Sequence, residues 1–260
     1  MTPNPGSVHY QSDGTIARIV FDRPAARNAM TWQMYEQLAE ACSRAAAEPG
    51  LRLVTLRGAG GEAFIAGTDI AQFKAFRSGE EGIAYEAKVE AYVAAVEAIP
   101  VPTLAVVEGV AVGGGVVIAA ACDLRIATAN AVFGAPIART LGNCLSIANH
   151  QRLAAAFGAA RASRMLMLAE NITASEAVTA GFLLAAVAPE ELDALVEQVC
   201  QQVVRNAPIT TRVSKMQSQR LRRAALPDDS DLIRLTYGSR DFHEGVAAFV
   251  AKRKPAWEGR

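Results

Sequence analysis

Three consecutive glycines, Gly113–Gly115, lie between a buried-strand run, Thr103–Val107, and a helical run of small residues, Val116–Cys122. Glycine at such a junction permits backbone angles that other residues avoid and lets a ligand approach the main chain closely. Where a helix begins, the first N–H groups lack an intrahelical partner, and their partial positive charge suits an oxyanion. The stretch Leu104–Ile137 therefore reads as a preorganised site for an anion or a polarised carbonyl. A phosphate-binding P-loop needs G-x-x-x-x-G-K-[ST], and no lysine follows these glycines. A dinucleotide fingerprint from Gly113 and Gly115 needs glycine at the position of Ile118. The run is apolar and about long enough for a membrane span, but Glu108 and the loosening glycines within it argue against one. Close helix–strand packing, with glycine serving only contact, stays open as the plain alternative.

The elements that must hold this stretch follow from the chain in order. Residues Val8–Asp22 carry Asp13-Gly14, a hairpin signal between two short strands. Thr31 can cap a helix to about Ala47, with Met34, Leu38, Ala41 and Ala45 at helical spacing. Leu51–Arg57 is the next strand, and Glu80–Ile99 is a long helix stopped by Pro100 and Pro102. A second strand-like run, Leu124–Ala127, follows the glycine stretch. Ser146–Ala169 reads as helices, Thr173-x-x-Glu176 as a capping box, and Glu190–Arg205 and Asp231–Arg253 as C-terminal helices. Alternating strands and helices predict an α/β fold with a mostly parallel sheet.

Composition excludes several function classes. The chain has 260 residues, 51% hydrophobic and 20% charged, an ordinary globular balance. Its 26 Lys and Arg against 26 Asp and Glu create no net field to draw nucleic acid or an acidic membrane. Cys42, Cys122, Cys144 and Cys200 show no C-x-x-C spacing, and His9, His150 and His243 are equally scattered, so no metal site is expected. The start, MTPNPGSVHY, lacks a charged segment followed by an apolar core, so a cytoplasmic location is the expectation.

The segments EGVAVGGG (108–115), ACDLRIA (121–127) and AVFGAP (131–136) resemble the central signature of the crotonase, or enoyl-CoA hydratase/isomerase, family. IVFDRPAARNAM (19–30), FIAGTDI (64–70), ITASEAVTAGFLL (172–184) and DFHEGVAAFVAKRKPAW (241–257) resemble further family motifs, in the family's order. The resemblance implies a ββα superhelix over residues 1–195, binding an acyl-CoA thioester. It also implies a C-terminal helical region, 196–260, that closes on CoA and mediates assembly as a homotrimer or hexamer. CoA would enter as part of the substrate, with no separate cofactor. In the family, backbone N–H groups at the positions of Thr68 and Gly114 point at the thioester oxygen. Such donors stabilise an enolate-like intermediate, each worth about 2.7–4 kcal/mol. Since only the N–H is needed, Thr68 in place of the more usual alanine is tolerable. The resemblance further places Arg27 at the CoA phosphates and the backbone around Ala66, Gly67, Asp69 and Ile70 near the adenine. Phe249 and Lys252 fall at the nucleotide end.

One departure from the family bears directly on mechanism. Family hydratases use two glutamates, and the matching positions here are Val117 and Ile137, neither able to move a proton. The segment Ala138–Leu145 is one residue longer than the usual pattern, and Leu145 or Ser146 stands where some relatives carry an aspartate. Substitute acid–base groups to consider are Glu86, Glu90, Glu108 and Cys144, the last with His150 nearby in sequence; Arg139 could meet a substrate carboxylate. Two functions follow as expectations: an enoyl-CoA hydratase/isomerase-type enzyme, or an acyl-CoA-binding pseudoenzyme that kept only the carbonyl site.

Overall fold

The computed structural model describes residues 5–70, 73, 76–223 and 228–259; the first four residues of the N-terminal stretch lie outside them. The chain opens with an antiparallel hairpin of β1 (Ser7–Ser12) and β2 (Ile16–Asp22). Its turn is held by the Asp13 carboxylate, which accepts the N–H groups of Thr15 and Ile16. Thr31 caps α1 (Trp32–Ala47) by accepting the N–H of Met34, and the apolar positions expected from helical spacing are buried.

From β3 (Leu53–Gly58) onward the chain repeats a turn of two strands and a helix. β4 (Ala63–Ile65) and α2 (Gly79–Ala98) complete one turn. β5 (Thr103–Val107), β6 (Val110–Val112) and α3 (Gly114–Ala121) form the next, and β7 (Leu124–Thr128) and β8 (Val132–Gly134) begin a third. The chain then runs through α4 (Ile137–Thr140), α5 (Ile147–Phe157) and α6 (Ala159–Met167). Next come β9 (Ile172–Thr173), α7 (Ala174–Thr179) and β10 (Ala185–Val187). The first strand of each turn joins a six-stranded sheet, ordered β1-β2-β3-β5-β7-β10 and parallel except at the hairpin. The second strand joins a smaller sheet, β4-β6-β8-β9. Parallel neighbours cannot be joined by a tight turn, so each return needs a crossover, and here a helix supplies it.

Both faces of the large sheet are covered. Ala105 and Val107 of β5 face the main core, whereas Leu104 and Val106 pack with Leu192, Val199, Cys200 and Val203. That second layer is α8 (Leu192–Arg205). Burial on two sides explains why β5 reads as an unbroken apolar run. α3 is buried almost all round, the position expected of a helix with no polar face. Its apolar run is thus the centre of the fold, and among the described residues no helix is long and apolar enough to cross a membrane.

Several expectations shift in detail. The boundary placed at 195/196 falls inside α8, whose apolar face belongs to the large sheet. The stretch Asp231–Arg253 divides at Gly238-Ser239 into α10 (Ser230–Tyr237) and α11 (Arg240–Val250), with the Ser239 hydroxyl capping the second. A further helix, α9 (Pro208–Arg223), lies where the sequence reading places none; it is mostly polar, and its apolar residues at helical spacing, Ile209, Val213 and Met216, are exposed rather than packed in the core. Its buried Lys215 anchors it, donating to the Asp123 carboxylate (2.6 Å) and the Val101 carbonyl. At Thr173 the expected cap is present, but the Glu176 carboxylate takes Arg161 and Arg164 rather than closing a reciprocal box.

Asn28 ties the loop after β2 to the body of the protein. Fully buried and in the left-handed region (φ +57°), it accepts the Arg23 N–H and donates to the carbonyls of Ala59 and Ala63. Asn28→Ala strands these groups and removes a side chain suited to that backbone region, so urea unfolding should show a loss of about 3 kcal/mol. A loss under about 1 kcal/mol would mean the loop is held elsewhere.

Candidate active site

A cavity of about 700 Å³ opens between the two sheets' connecting loops. Its walls come from the loop after β2, residues 66–70, the middle of α2, the start of α3, the segment 136–149 and the end of α11. The residues drawn from the family motifs line it: Arg27, Ala66, Gly67, Thr68, Asp69, Ile70, Gly114, Val117, Ile137, Phe249 and Lys252. Of these, Arg27, Phe249 and Lys252 are exposed.

Two backbone loops face each other across one end. The loop 66–69 is zipped to the loop after β2: Ala66 N–H donates to Arg27, Met30 N–H to Gly67 and Asp69 N–H to Met30. An ion pair of Arg23 with Asp69 (3.0 Å) closes the same edge. This register uses the N–H groups of Ala66 and Asp69 and leaves that of Thr68 unpaired among the described residues. It also means that Ala66 and Asp69 have no free N–H. Opposite, Gly113 N–H is taken by the Gly134 carbonyl, while Gly114, at the first position of α3, has no acceptor among the described residues. Two free donors, one of them at a helix start, thus line one cavity.

The glycines are there for geometry. Gly113 adopts φ +55°, ψ −123°, a backbone that side chains oppose. A Cβ at Gly115 would lie 2.1 Å from the Ile65 carbonyl oxygen, and one at Gly114 would lie 2.8 Å from the Tyr35 hydroxyl. Larger residues would push α3 away from the 66–68 loop.

Thr68 has a role beyond its N–H that the sequence did not reveal. Its hydroxyl meets the Tyr35 hydroxyl at 2.9 Å and accepts from Tyr85 at 3.2 Å. Burial raises the pKa of Tyr35 to about 12 and that of Tyr85 well above its ordinary value, so both are neutral hydroxyls here.

Of the proposed acid–base substitutes, one reaches the cavity. Glu86 lines it, is only 2% exposed, and accepts hydrogen bonds from the Ser146 N–H (2.9 Å) and the Tyr237 hydroxyl (2.6 Å). Burial pushes its pKa up to about 7, while those two donors pull it down. Tyr237 also receives a contact from Asn143 Nδ2 (3.3 Å), whose Oδ1 is buried without a partner among the described residues. Glu90 is instead bound at 2.5–2.6 Å to the buried Arg152, which also pairs with Glu97. Glu108 pairs with Arg57 at 2.6 Å, outside the cavity. Cys144 does not line the cavity, and burial holds its thiol up at about 11; His150 is exposed, and no hydrogen bond joins the two among the described residues. Arg139 is exposed on α4 and is likewise not part of the lining.

The sequence model of the enoyl-CoA hydratase/isomerase family matches residues 11–260. The chain belongs to that family. It is 30% identical over 252 residues to a short-chain-enoyl-CoA hydratase of Clostridium acetobutylicum, covering 95% of this chain and 96% of that one. To a 2,3-dehydroadipyl-CoA hydratase of Escherichia coli it is 32% identical over 253 residues, covering 94% and 96%. Among solved structures it superposes on a methylmalonyl-CoA decarboxylase in complex with 2-nitronate-propionyl-CoA with a TM-score of 0.88. That match has 26% identity and covers 98% and 99% of the two chains. The family is thus an acyl-CoA enzyme family, and the fold is its crotonase fold.

Thr68→Ala keeps the backbone N–H but removes the partner of two buried tyrosine hydroxyls. It should lower unfolding free energy by about 1–3 kcal/mol in urea melts while leaving acyl-CoA binding within a few-fold in a calorimetric titration. An unaltered melt would show that the tyrosine hydroxyls find other partners.

Proposed function

We propose that this enoyl-CoA hydratase/isomerase family member binds an acyl-CoA thioester in the 700 Å³ cavity and polarises its carbonyl with the Thr68 and Gly114 N–H groups. The observation that carries this reading is that Thr68 and Gly114, whose N–H groups have no acceptor among the described residues, line one cavity. Donors fixed where negative charge develops stabilise an enolate without reorganising during reaction. Arg27 and Lys252, exposed on the lining, are positioned to meet CoA phosphates, and Phe249 to cover the nucleotide. The C-terminal helices close on this end and supply the contact surface of a trimer or hexamer. In support, Ile209, Leu221, Leu232 and Leu235 are apolar yet largely exposed. A cytoplasmic site of action accords with this reading. Calorimetric titration with acetoacetyl-CoA should give saturable heat for the wild type and a weaker signal for folded Gly114→Pro, which lacks one donor. No heat at millimolar ligand would overturn the proposal.

Chemistry at the acyl chain differs from that of a two-carboxylate hydratase. Val117 and Ile137 are apolar members of the lining, so neither orients or deprotonates water. Hydration of crotonyl-CoA should therefore run at least about 10²-fold below the typical enzyme kcat of about 10 s⁻¹. Steady-state hydration near that typical value would refute this. The same apolar lining favours a second reading, a binding protein that holds acyl-CoA without turning it over. Turnover on a panel of acyl-CoA thioesters separates the two readings.

A further inference from the structure

We infer that Glu86, held on α2 away from the positions of Val117 and Ile137, is the acid–base group of this site. The inference rests on the thioester reading above. Among the described residues no ion pair is observed for Glu86, whereas Asp69, the other carboxyl of the lining, pairs with Arg23, and Glu90 and Glu108 are committed to Arg152 and Arg57. It is also a held group rather than a stray one. Gly82, one helical turn earlier on α2, has no room for a Cβ, which would lie 2.2 Å from the Tyr237 ring. Gly79 likewise lies against the Arg234 backbone. These two glycines let α10 close on α2 and bring the Tyr237 hydroxyl onto one carboxyl oxygen, while Ser146 N–H fixes the other. Tyr237 and Asn143 act as positioning residues.

The surroundings set when the group can act. Asp229 and Glu90 disfavour its ionised form, and burial does so more strongly; the hydrogen bonds from Tyr237 and Ser146 favour it. Tyr35 from α1, Tyr85 on its own helix and Cys144 from the 136–149 segment also face its charge. The resulting pKa of about 7 lets the group take and return a proton near neutral pH.

A single carboxyl suits a 1,3-proton shift better than hydration, which must handle both water and carbon. With a 3-enoyl-CoA, the Glu86 carboxylate removes a proton from Cα, and the C–H electrons move into the thioester to form a dienolate at the Thr68 and Gly114 N–H groups. The carboxyl then returns its proton to Cγ, and the electrons settle as a Cα=Cβ double bond. The carboxylate is regenerated, and no water, oxidant or co-reactant is consumed.

The test compares wild type with Glu86→Gln. Both are titrated with acetoacetyl-CoA, then assayed with trans-3-hexenoyl-CoA for conjugated-enoyl absorbance and for deuterium entering Cα from D₂O. Both proteins should bind. The wild-type rate should rise with pH through about 7 as Glu86 ionises, and the variant should be about 10²–10⁴-fold slower. Wild type that binds but neither isomerises nor exchanges, or a variant that keeps the rate, would overturn the assignment to Glu86. Wild type that does not bind at all would remove the thioester reading itself. If Glu86→Gln fails to fold, Tyr237→Phe carries the test. Losing a donor that favours the carboxylate should move the pH midpoint upward, and an unmoved midpoint would count against Glu86 as the base.

Discussion

The close approach of the start of α3 to the 66–68 loop is the constraint on which the site depends. Two segments can bring residues with unpaired N–H groups to the lining of one cavity only if nothing larger than glycine stands between them. Gly113 supplies the backbone angle, and Gly115 lies against the Ile65 carbonyl with no space for a side chain. The opposing loop is held by its own ladder to residues 27–30, whose register leaves the Thr68 donor unused. An unsatisfied N–H near the interior costs stability, so these donors are kept unpaired against the general tendency of a folded chain. Their cost is offset by the burial around them, where α3 is packed on nearly every side.

The Glu86 end of the cavity follows a different logic. Here a carboxyl is enclosed by aromatic rings and apolar side chains, with Tyr85, Tyr237, Phe73 and Phe242 in mutual contact. Desolvation opposes the charged form, and two well-placed donors restore part of what water would give. The neighbouring α2 carboxylate, Glu90, meets the opposite fate because a buried guanidinium lies within reach. Two glutamates four residues apart on one helix thus acquire separate roles, set by what packs against each of them.

Sequence motifs revealed the cavity lining well because that part is backbone geometry. Glycine spacing, loop composition and strand runs are local properties, and each residue drawn from them lines the same cavity. Side-chain partnerships were less legible. Thr68 reads as a tolerated replacement for alanine, yet its hydroxyl joins two tyrosines from α1 and α2. Cys144 and Arg139 attract attention as reactive or charged residues in an altered segment, but both fall outside the lining. α9 is mostly polar, its apolar residues are exposed, and what anchors it is one buried lysine bonded to Asp123, a contact 92 residues away in the chain.

The sequence by itself determined the fold class, the family, the two loops that meet at the cavity, and the absence of carboxylates at Val117 and Ile137. These rest on residue type and short-range spacing, which local steric rules translate directly into backbone shape. Only the tertiary structure decided which of several glutamates enters the cavity. Glu86 and Tyr237 are 151 residues apart, and their contact exists because α10 closes on two glycines of α2. Burial, and with it the raised pKa of Glu86, is a property of that closure, so no reading of the residues along the chain contains it.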